Sequence, residues 1–136
     1  MKETLPIIDI FAGPGGLGEG FSRAGFDVVL SIEKDYIACN TLKLRKFYYE
    51  FSEKPPSLYY DVIKGYTCID ELKHNYPHEW KTAEDKVLQI EINSKNETLI
   101  HKRISKVLKN NKNFILIGGP PCQAYSMSGR SKGLGL

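Results

Sequence analysis

Cys122 stands directly after Gly118-Gly119-Pro120-Pro121, at the end of the apolar run Phe114-Ile115-Leu116-Ile117. A cysteine thiolate is a nucleophile, and its position relative to a strand decides whether a substrate can reach it. A second constellation lies near the amino terminus. Gly13, Gly15 and Gly18 keep the G-x-G-x-x-G spacing, and Glu33 follows Gly13 by 20 residues. Glycines admit unusual φ values and let backbone approach a ligand closely, while a helix start presents unpaired N–H groups to a polar or anionic group. An acidic side chain at that separation meets a cofactor ribose and accepts hydrogen bonds from its hydroxyls. The two constellations together are the chemistry of a nucleotide-like cofactor and a nucleophilic sulfur.

These residues need strands and helices to hold them. Leu5 to Phe11 is an apolar run broken only by Asp9, which fits a central parallel strand. It leads straight into the glycine turn Ala12 to Gly20, after which Leu17, Phe21 and Ala24 recur at helical spacing. Gly25-Phe26-Asp27 closes that helix. Val28 to Ile32 makes a second strand with Glu33 at its carboxyl end. A helix opening near Asp35 places Ile37, Thr41, Leu44 and Tyr48 on one face, leaving Lys43, Arg45 and Lys46 as a solvated surface. Pro55-Pro56 blocks its continuation. Leu58 to Ile63 fits a short third strand with Asp61 at or beyond its carboxyl end, or a loop, and Phe114 to Ile117 reads as the strand that delivers Cys122. Gly118-Gly119 ends that last strand, and Pro120-Pro121 fixes φ twice without offering a backbone donor. Strand, glycine turn, helix and strand again describe an α/β chain with an open, mostly parallel sheet, whose ligands bind at the carboxyl ends of the strands.

Residues 64–113 carry no catalytic pattern. Ile69, Leu72 and Tyr76 line one helix, Val87 and Leu88 with Ile92 a second, and Leu99, Ile100, Ile104, Val107 and Leu108 a third. His74, His78 and His101 have no partner at a ligand spacing such as H-E-x-x-H, so no metal is expected. Tyr48, Tyr49, Tyr59 and Tyr60 read as packing residues, not as a stacking platform for single-stranded nucleic acid.

The bulk properties narrow the class. The 136 residues are 41% hydrophobic and 26% charged, as in an ordinary globular domain with a modest core. No run approaches the roughly 18 to 20 apolar residues of a membrane span, and Met1 to Phe11 lacks the form of a secretory signal. Cys39, Cys68 and Cys122 are far apart and odd in number, which reads as reduced thiols in an intracellular protein. A net charge of +3 permits a nucleic-acid partner without establishing one.

The segment Asp9-Ile10-Phe11-Ala12-Gly13-Pro14-Gly15-Gly16-Leu17 resembles the cofactor motif of the DNA cytosine-5 methyltransferases. Glu33 is similar to their ribose-binding acid, and Asp61-Val62-Ile63 to their adenine-contacting segment. Gly118-Gly119-Pro120-Pro121-Cys122-Gln123 resembles their catalytic motif, and Tyr125 to Arg130 continues the likeness. The resemblance implies a Rossmann-like S-adenosylmethionine-dependent methyltransferase fold, with residues 1–136 as the amino-terminal portion of the catalytic domain. It implies S-adenosylmethionine held by Phe11, Ala12, Gly13, Pro14, Gly15 and Gly16, with Ile32, Glu33, Asp61, Val62, Ile63 and Pro120 around the adenosine. Cys122 is the implied nucleophile, adding to carbon 6 of cytosine so that carbon 5 accepts the methyl group. Pro121, Gln123, Ser126, Ser128, Arg130 and Lys132 are the implied contacts to a flipped cytosine and its double-stranded DNA.

The family's second catalytic group, the glutamate of a Glu-Asn-Val motif, lies beyond the cysteine strand, as does its target-recognition domain. The expectation is therefore a fold incomplete in its carboxyl-terminal half, inactive alone and prone to self-associate through unpaired edges. The resemblance points to a bacterial restriction-modification setting or related DNA modification, in the cytoplasm, with no membrane partner. Three other readings share parts of the pattern. They are a nicotinamide- or flavin-binding oxidoreductase, a non-catalytic nucleic-acid module, and a transfer-RNA cytosine-5 methyltransferase; the matched motifs favour DNA.

Overall fold

A computed structural model describes residues 4–122. The chain runs β1 (Ile7–Ile10), α1 (Gly16–Arg23), β2 (Val28–Glu33), α2 (Tyr36–Glu50), α3 (Ser57–Ile63), α4 (Ile69–Asn75), α5 (Pro77–Asp85), β3 (Val87–Gln89), α6 (Glu97–Leu108) and β4 (Ile115–Gly118). All strand pairs are parallel, and the order across the sheet is β3-β2-β1-β4. This is the open α/β sheet that the alternation of strand and helix signals predicts. The chain moves outward from β1 through β2 to β3, then returns to place β4 on the other side of β1. That reversal opens a crevice at the carboxyl ends of β1 and β4, where ligands bind in such sheets.

The two faces of the sheet are packed differently. Ile8, Leu30 and Ile32 are fully buried and meet Ile100 and Leu108 of α6, with Ile104 and Val107 packed around them. On the opposite face, Cys39 and Leu42 of α2 pack with Ala12 and Val87. Farther out, Phe47 of α2 anchors an aromatic cluster with Trp80 of α5 and Leu72 of α4. The Phe47 ring lies parallel to Tyr59, with centroids 6.2 Å apart, and meets Tyr76 edge-on at 6.1 Å. Such pairs add about 0.5–1.5 kcal/mol each beyond the area they bury. Tyr48, Tyr49 and Tyr59 therefore pack, as their sequence context suggests, while Tyr60 is 45% exposed.

Three expectations are corrected. Leu58 to Ile63 is not the third strand. Pro56 caps a helix there, and Leu58, Tyr59 and Val62, three and four residues apart, set one face of α3 on the Phe47 cluster. The helix expected over Val87, Leu88 and Ile92 is instead the third strand, Val87–Gln89, pairing Ser31, Ile32 and Glu33 of β2 with Val87, Leu88 and Gln89. Its signal is the run Val87-Leu88-Gln89-Ile90-Glu91-Ile92, in which apolar and polar residues alternate after Leu88, the period of a strand and not of a helix. Finally, the buried face of α2 is Cys39, Leu42 and Phe47, while Ile37 is 74% exposed. Arg45 and Lys46 are not a free solvated surface: Arg45 is held at the surface on Pro14 O, and Lys46 reaches inward to Val28 O.

Other elements stand as read. Asp35 caps α2, its Oδ2 accepting from the Ala38 N–H at 2.8 Å. The helices around Leu72 and Ile104 are α4 and α6. The α5 helix, begun by Pro77 at its first turn, has no counterpart in the sequence reading. No helix among the described residues is long and apolar enough to cross a membrane.

Candidate functional site

The glycine turn closes β1 with three left-handed residues in quick succession: Phe11 (φ 51°), Gly13 (φ 55°) and Gly15 (φ 96°). For glycine this geometry is free, but for Phe11 it stores about 1–3 kcal/mol of strain, of the kind that collects at ligand sites. Backbone bonds explain why the turn holds it. Ala12 N–H donates to Ile32 O at 3.1 Å, and Gly15 N–H donates back to Ala12 O at 3.1 Å. Gly13 N–H donates to Glu33 Oε2 at 2.8 Å. The other Glu33 oxygen accepts from the N–H groups of Lys34 (2.8 Å) and Asp35 (2.9 Å). Glu33 thus ties the glycine turn to the end of β2 while its carboxylate stands at the sheet edge.

On the other side of β1, Gly118 pairs with Ile10. A β-carbon there would lie 2.7 Å from both Cγ1 and the carbonyl oxygen of Ile10, so only glycine lets β4 approach this closely. The backbone then passes Phe11 O at Gly119 and continues through Pro120 and Pro121. Cys122 follows with its side chain exposed.

Between these segments lies a pocket of ≈ 460 Å³, a volume in the range of small-molecule sites. Its walls bring together Phe11, Gly13, Ile32, Glu33, Pro120 and Pro121 of the expected residues. They add Lys34, Gly119 and the segment Ile90-Glu91-Ile92 beyond β3. One wall is apolar and suits a flat ring, and the rim carries two carboxylates that suit hydroxyl and amine donors. The donor set therefore fits an adenosine-bearing cofactor.

Several expected residues do not line this pocket. Ala12 is buried beneath it with Cys39 and Leu42. Pro14, Gly15 and Gly16 turn away into the start of α1, where no side chain caps the first N–H groups. Asp61, Val62 and Ile63 lie on α3, with Val62 packed against the Phe47 cluster and Ile63 exposed. Asp61 therefore does not stand at a strand end, because the strand it was placed on is a helix. Glu91 holds the corresponding position after the true β3. Gln123, Ser126, Ser128, Arg130 and Lys132 lie outside the described residues.

The remaining ionisable groups near the site are structural. The Cys39 thiol donates to Glu33 O at 3.4 Å, and burial together with the Glu33 charge pushes it up to about 11, which keeps it an unreactive thiol. Asp9, 1% exposed in the middle of β1, is raised to about 6 by burial, an effect partly offset by the Lys46 charge. Burial, reinforced by Lys86, pulls Lys46 down to about 8.

Residues 5–55 match the family model of the C-5 cytosine-specific DNA methylases. Over 93% of its length the chain is 32% identical to a type II methyltransferase of Bacillus paralicheniformis, covering 32% of that protein. It is 31% identical to a putative type II methyltransferase of Methanocaldococcus jannaschii, again over 93% of the chain and 37% of the relative. A type II methyltransferase of Haemophilus parahaemolyticus is 29% identical over 93% of the chain and 23% of its own length. The chain thus spans about a third of the first two relatives and less of the third. No solved structure matches it.

Proposed function

Because residues 5–55, with the glycine turn, Glu33 and all of α2, match the family model of the C-5 cytosine-specific DNA methylases, we propose that this chain supplies the cofactor pocket and nucleophile of a DNA cytosine-5 methyltransferase. The observation that carries the reading is the convergence of Phe11, Gly13, Glu33, Pro120 and Pro121 on one pocket, with Cys122 one residue beyond it. S-adenosylmethionine, when bound, supplies an electrophilic methyl group on a sulfonium. Glu33 would accept from its ribose, Phe11, Ile32, Ile90 and Ile92 would enclose the adenine, and Glu91 would take the exocyclic amine in place of Asp61. The glycine turn gives the amino acid portion close access to backbone.

Cytosine carbon 5 is too weak a nucleophile to take a methyl group unaided. The Cys122 thiolate would form a bond to carbon 6, and the carbon 5–carbon 6 π pair would move onto carbon 5. That carbon would take the methyl group as the sulfur–methyl bond breaks and its electron pair stays on sulfur as a neutral thioether. Loss of the carbon 5 proton and departure of the thiolate restore the ring. The base must first leave the duplex, at a cost of a few kcal/mol. Pro121 lies against it, and Gln123, Ser126, Ser128, Arg130 and Lys132 serve the loop over the DNA. The names of the relatives support a type II restriction-modification setting.

Calorimetric titration tests the cofactor assignment. S-adenosylhomocysteine should bind and NAD should not, and Glu33→Ala should weaken the former by about 1.5–3 kcal/mol for its lost charged hydrogen bonds. Binding of NAD alone sinks the proposal. In the active enzyme that carries these residues, Cys122→Ser should abolish transfer of a tritiated methyl group while sparing cofactor binding. Near-normal turnover would end the covalent mechanism.

A further inference from the structure

The glycine turn is gripped from two sides. On the pocket side the hold is Glu33 on Gly13 N–H. On the other side Arg45, one helix away on α2, donates its Nε–H to Pro14 O at 2.8 Å. Its side chain also lies flat on the turn. A β-carbon on Gly15 would stand 3.1 Å from Arg45 Cδ and 2.8 Å from Leu42 Cδ2, so this face of α2 and the glycine fit each other directly.

Arg45 is itself held. Its Nη1 lies 3.5 Å from Glu19 Oε2, and the other Glu19 oxygen accepts from Tyr49 O–H at 2.9 Å and Arg23 Nε–H at 3.1 Å. Burial works to raise the Glu19 pKa, but the hydrogen bonds from Tyr49 and Arg23 and the Arg45 charge outweigh it and keep the carboxylate ionised. Arg45 and Tyr49 are one helical turn apart, so a single face of α2 presents both to α1 and the turn. Arg45 is absent from the walls of the ≈ 460 Å³ pocket.

Pro14 explains why an external hold is needed. It sits between two left-handed glycines, has no N–H of its own, and can be anchored through its carbonyl. We infer that Arg45 is a positioning residue for the cofactor turn: it fixes the Pro14 carbonyl, and through it the conformation that Gly13 presents to the ligand, with Glu19 and Tyr49 fixing Arg45 in turn. The inference rests on the proposed cofactor reading for its effect on affinity, but not for its effect on the turn. Arginine suits the position because two nitrogens of one rigid fork, Nε and Nη1, serve the carbonyl and the carboxylate, whereas a lysine has a single, flexibly held nitrogen.

The test uses the chain in its ligand-free and ligand-bound forms, with Arg45→Met, Arg45→Lys and Tyr49→Phe. Methionine keeps an apolar stem over Gly15 and removes the donor. In the free protein, the amide resonances of Gly13 and Gly15 should shift and broaden in Arg45→Met, less in Arg45→Lys, and least in Tyr49→Phe, with melting temperatures close to wild type. Affinity for S-adenosylhomocysteine should fall in the same order, by about tenfold or more for Arg45→Met, as expected for one lost charged hydrogen bond. Glycine resonances that stay in place in Arg45→Met overturn the inference, as does an affinity loss that follows only the loss of melting temperature. Wild-type protein that fails to bind S-adenosylhomocysteine overturns the cofactor reading instead, while the glycine resonances still decide the role of Arg45.

Discussion

Asp9→Asn isolates the consequence of placing a carboxyl group inside the sheet. Asp9 lies in β1 between Ser31 of β2 and Ile117 of β4, is 1% exposed, and among the described residues receives no hydrogen bond at either oxygen. Gly18 of α1 crosses so close that a β-carbon there would be 3.0 Å from Asp9 Oδ2. The nearest compensation is the Lys46 charge, and Lys46 spends a hydrogen bond on Val28 O at 2.8 Å. Burial therefore wins and raises the carboxyl from 3.8 to about 6.

The sign follows from proton counting. Between pH 3.8 and 6 the folded protein keeps a proton that the unfolded chain has released, so stability falls as pH rises through that window and is level above it. A shift of about two pH units corresponds to about 3 kcal/mol. Asparagine cannot ionise, so the stability of wild type minus that of Asp9→Asn should fall by this amount between pH 3.5 and 7.5. Whatever constant penalty the amide carries cancels in the difference. Urea unfolding at a series of pH values, extrapolated linearly, measures it. Parallel curves for the two proteins would refute the argument, and a difference that grows in favour of wild type with pH would mean that the Lys46 pairing outweighs burial.

Lys46 gives the complementary case. Its folded pKa lies below that of the unfolded chain, so the unfolded state binds the extra proton between pH 8 and 10.5. The stability of wild type relative to Lys46→Met should therefore rise across that window in the same urea assay. Gly118→Ala forces a β-carbon onto the Ile10 backbone at 2.7 Å and should cost about 1–3 kcal/mol by thermal unfolding, with the pocket widened between β1 and β4. Glu91→Ala should weaken S-adenosylhomocysteine binding while Asp61→Ala leaves it unchanged; the reverse ranking would return the adenine contact to α3.

The parts of the site that were legible in the sequence are those in which local chemistry and tertiary position coincide. The Gly13-Pro14-Gly15 turn needs left-handed φ values that few other residues accept, so its composition announces it wherever it folds. Glu33 stands at a strand end because Val28 to Ile32 admits little else, and Pro120-Pro121 marks the exit of β4 in the same way. Asp61 was misplaced for a physical reason. Six residues of mixed apolar and aromatic character satisfy a strand or a helix alike, and only the Phe47 cluster decides between them. The true third strand was hidden because three paired residues make a weak periodic signal, and what stabilises it is pairing with β2. Arg45 and Lys46 were unreadable on their own. A basic residue on a helix declares its partner only when the carbonyl of Pro14 or Val28 is brought beside it.

On the proposed cofactor reading, the turn and the ligand would compete for Glu33. A carboxylate offers about four lone-pair sites, and three of them serve Gly13, Lys34 and Asp35 N–H groups. A ribose with two hydroxyl donors finds one site free, on the oxygen shared with Gly13, and takes the second by displacing a backbone donor. Lys34 and Asp35 are both exposed, so either N–H can turn to water at little cost. The Gly13 bond is half-buried and joins two segments 20 residues apart, so it is the one to keep. On the proposed reading, cofactor binding through Glu33 would therefore preserve the tie between β1 and β2 and loosen the entry to α2. The affinity gained from the ribose is the net of that exchange, smaller than two free charged hydrogen bonds would give. With Glu33 partly committed to the ligand, the hold of Arg45 on Pro14 carries a larger share of the turn's geometry in the bound state than in the free one.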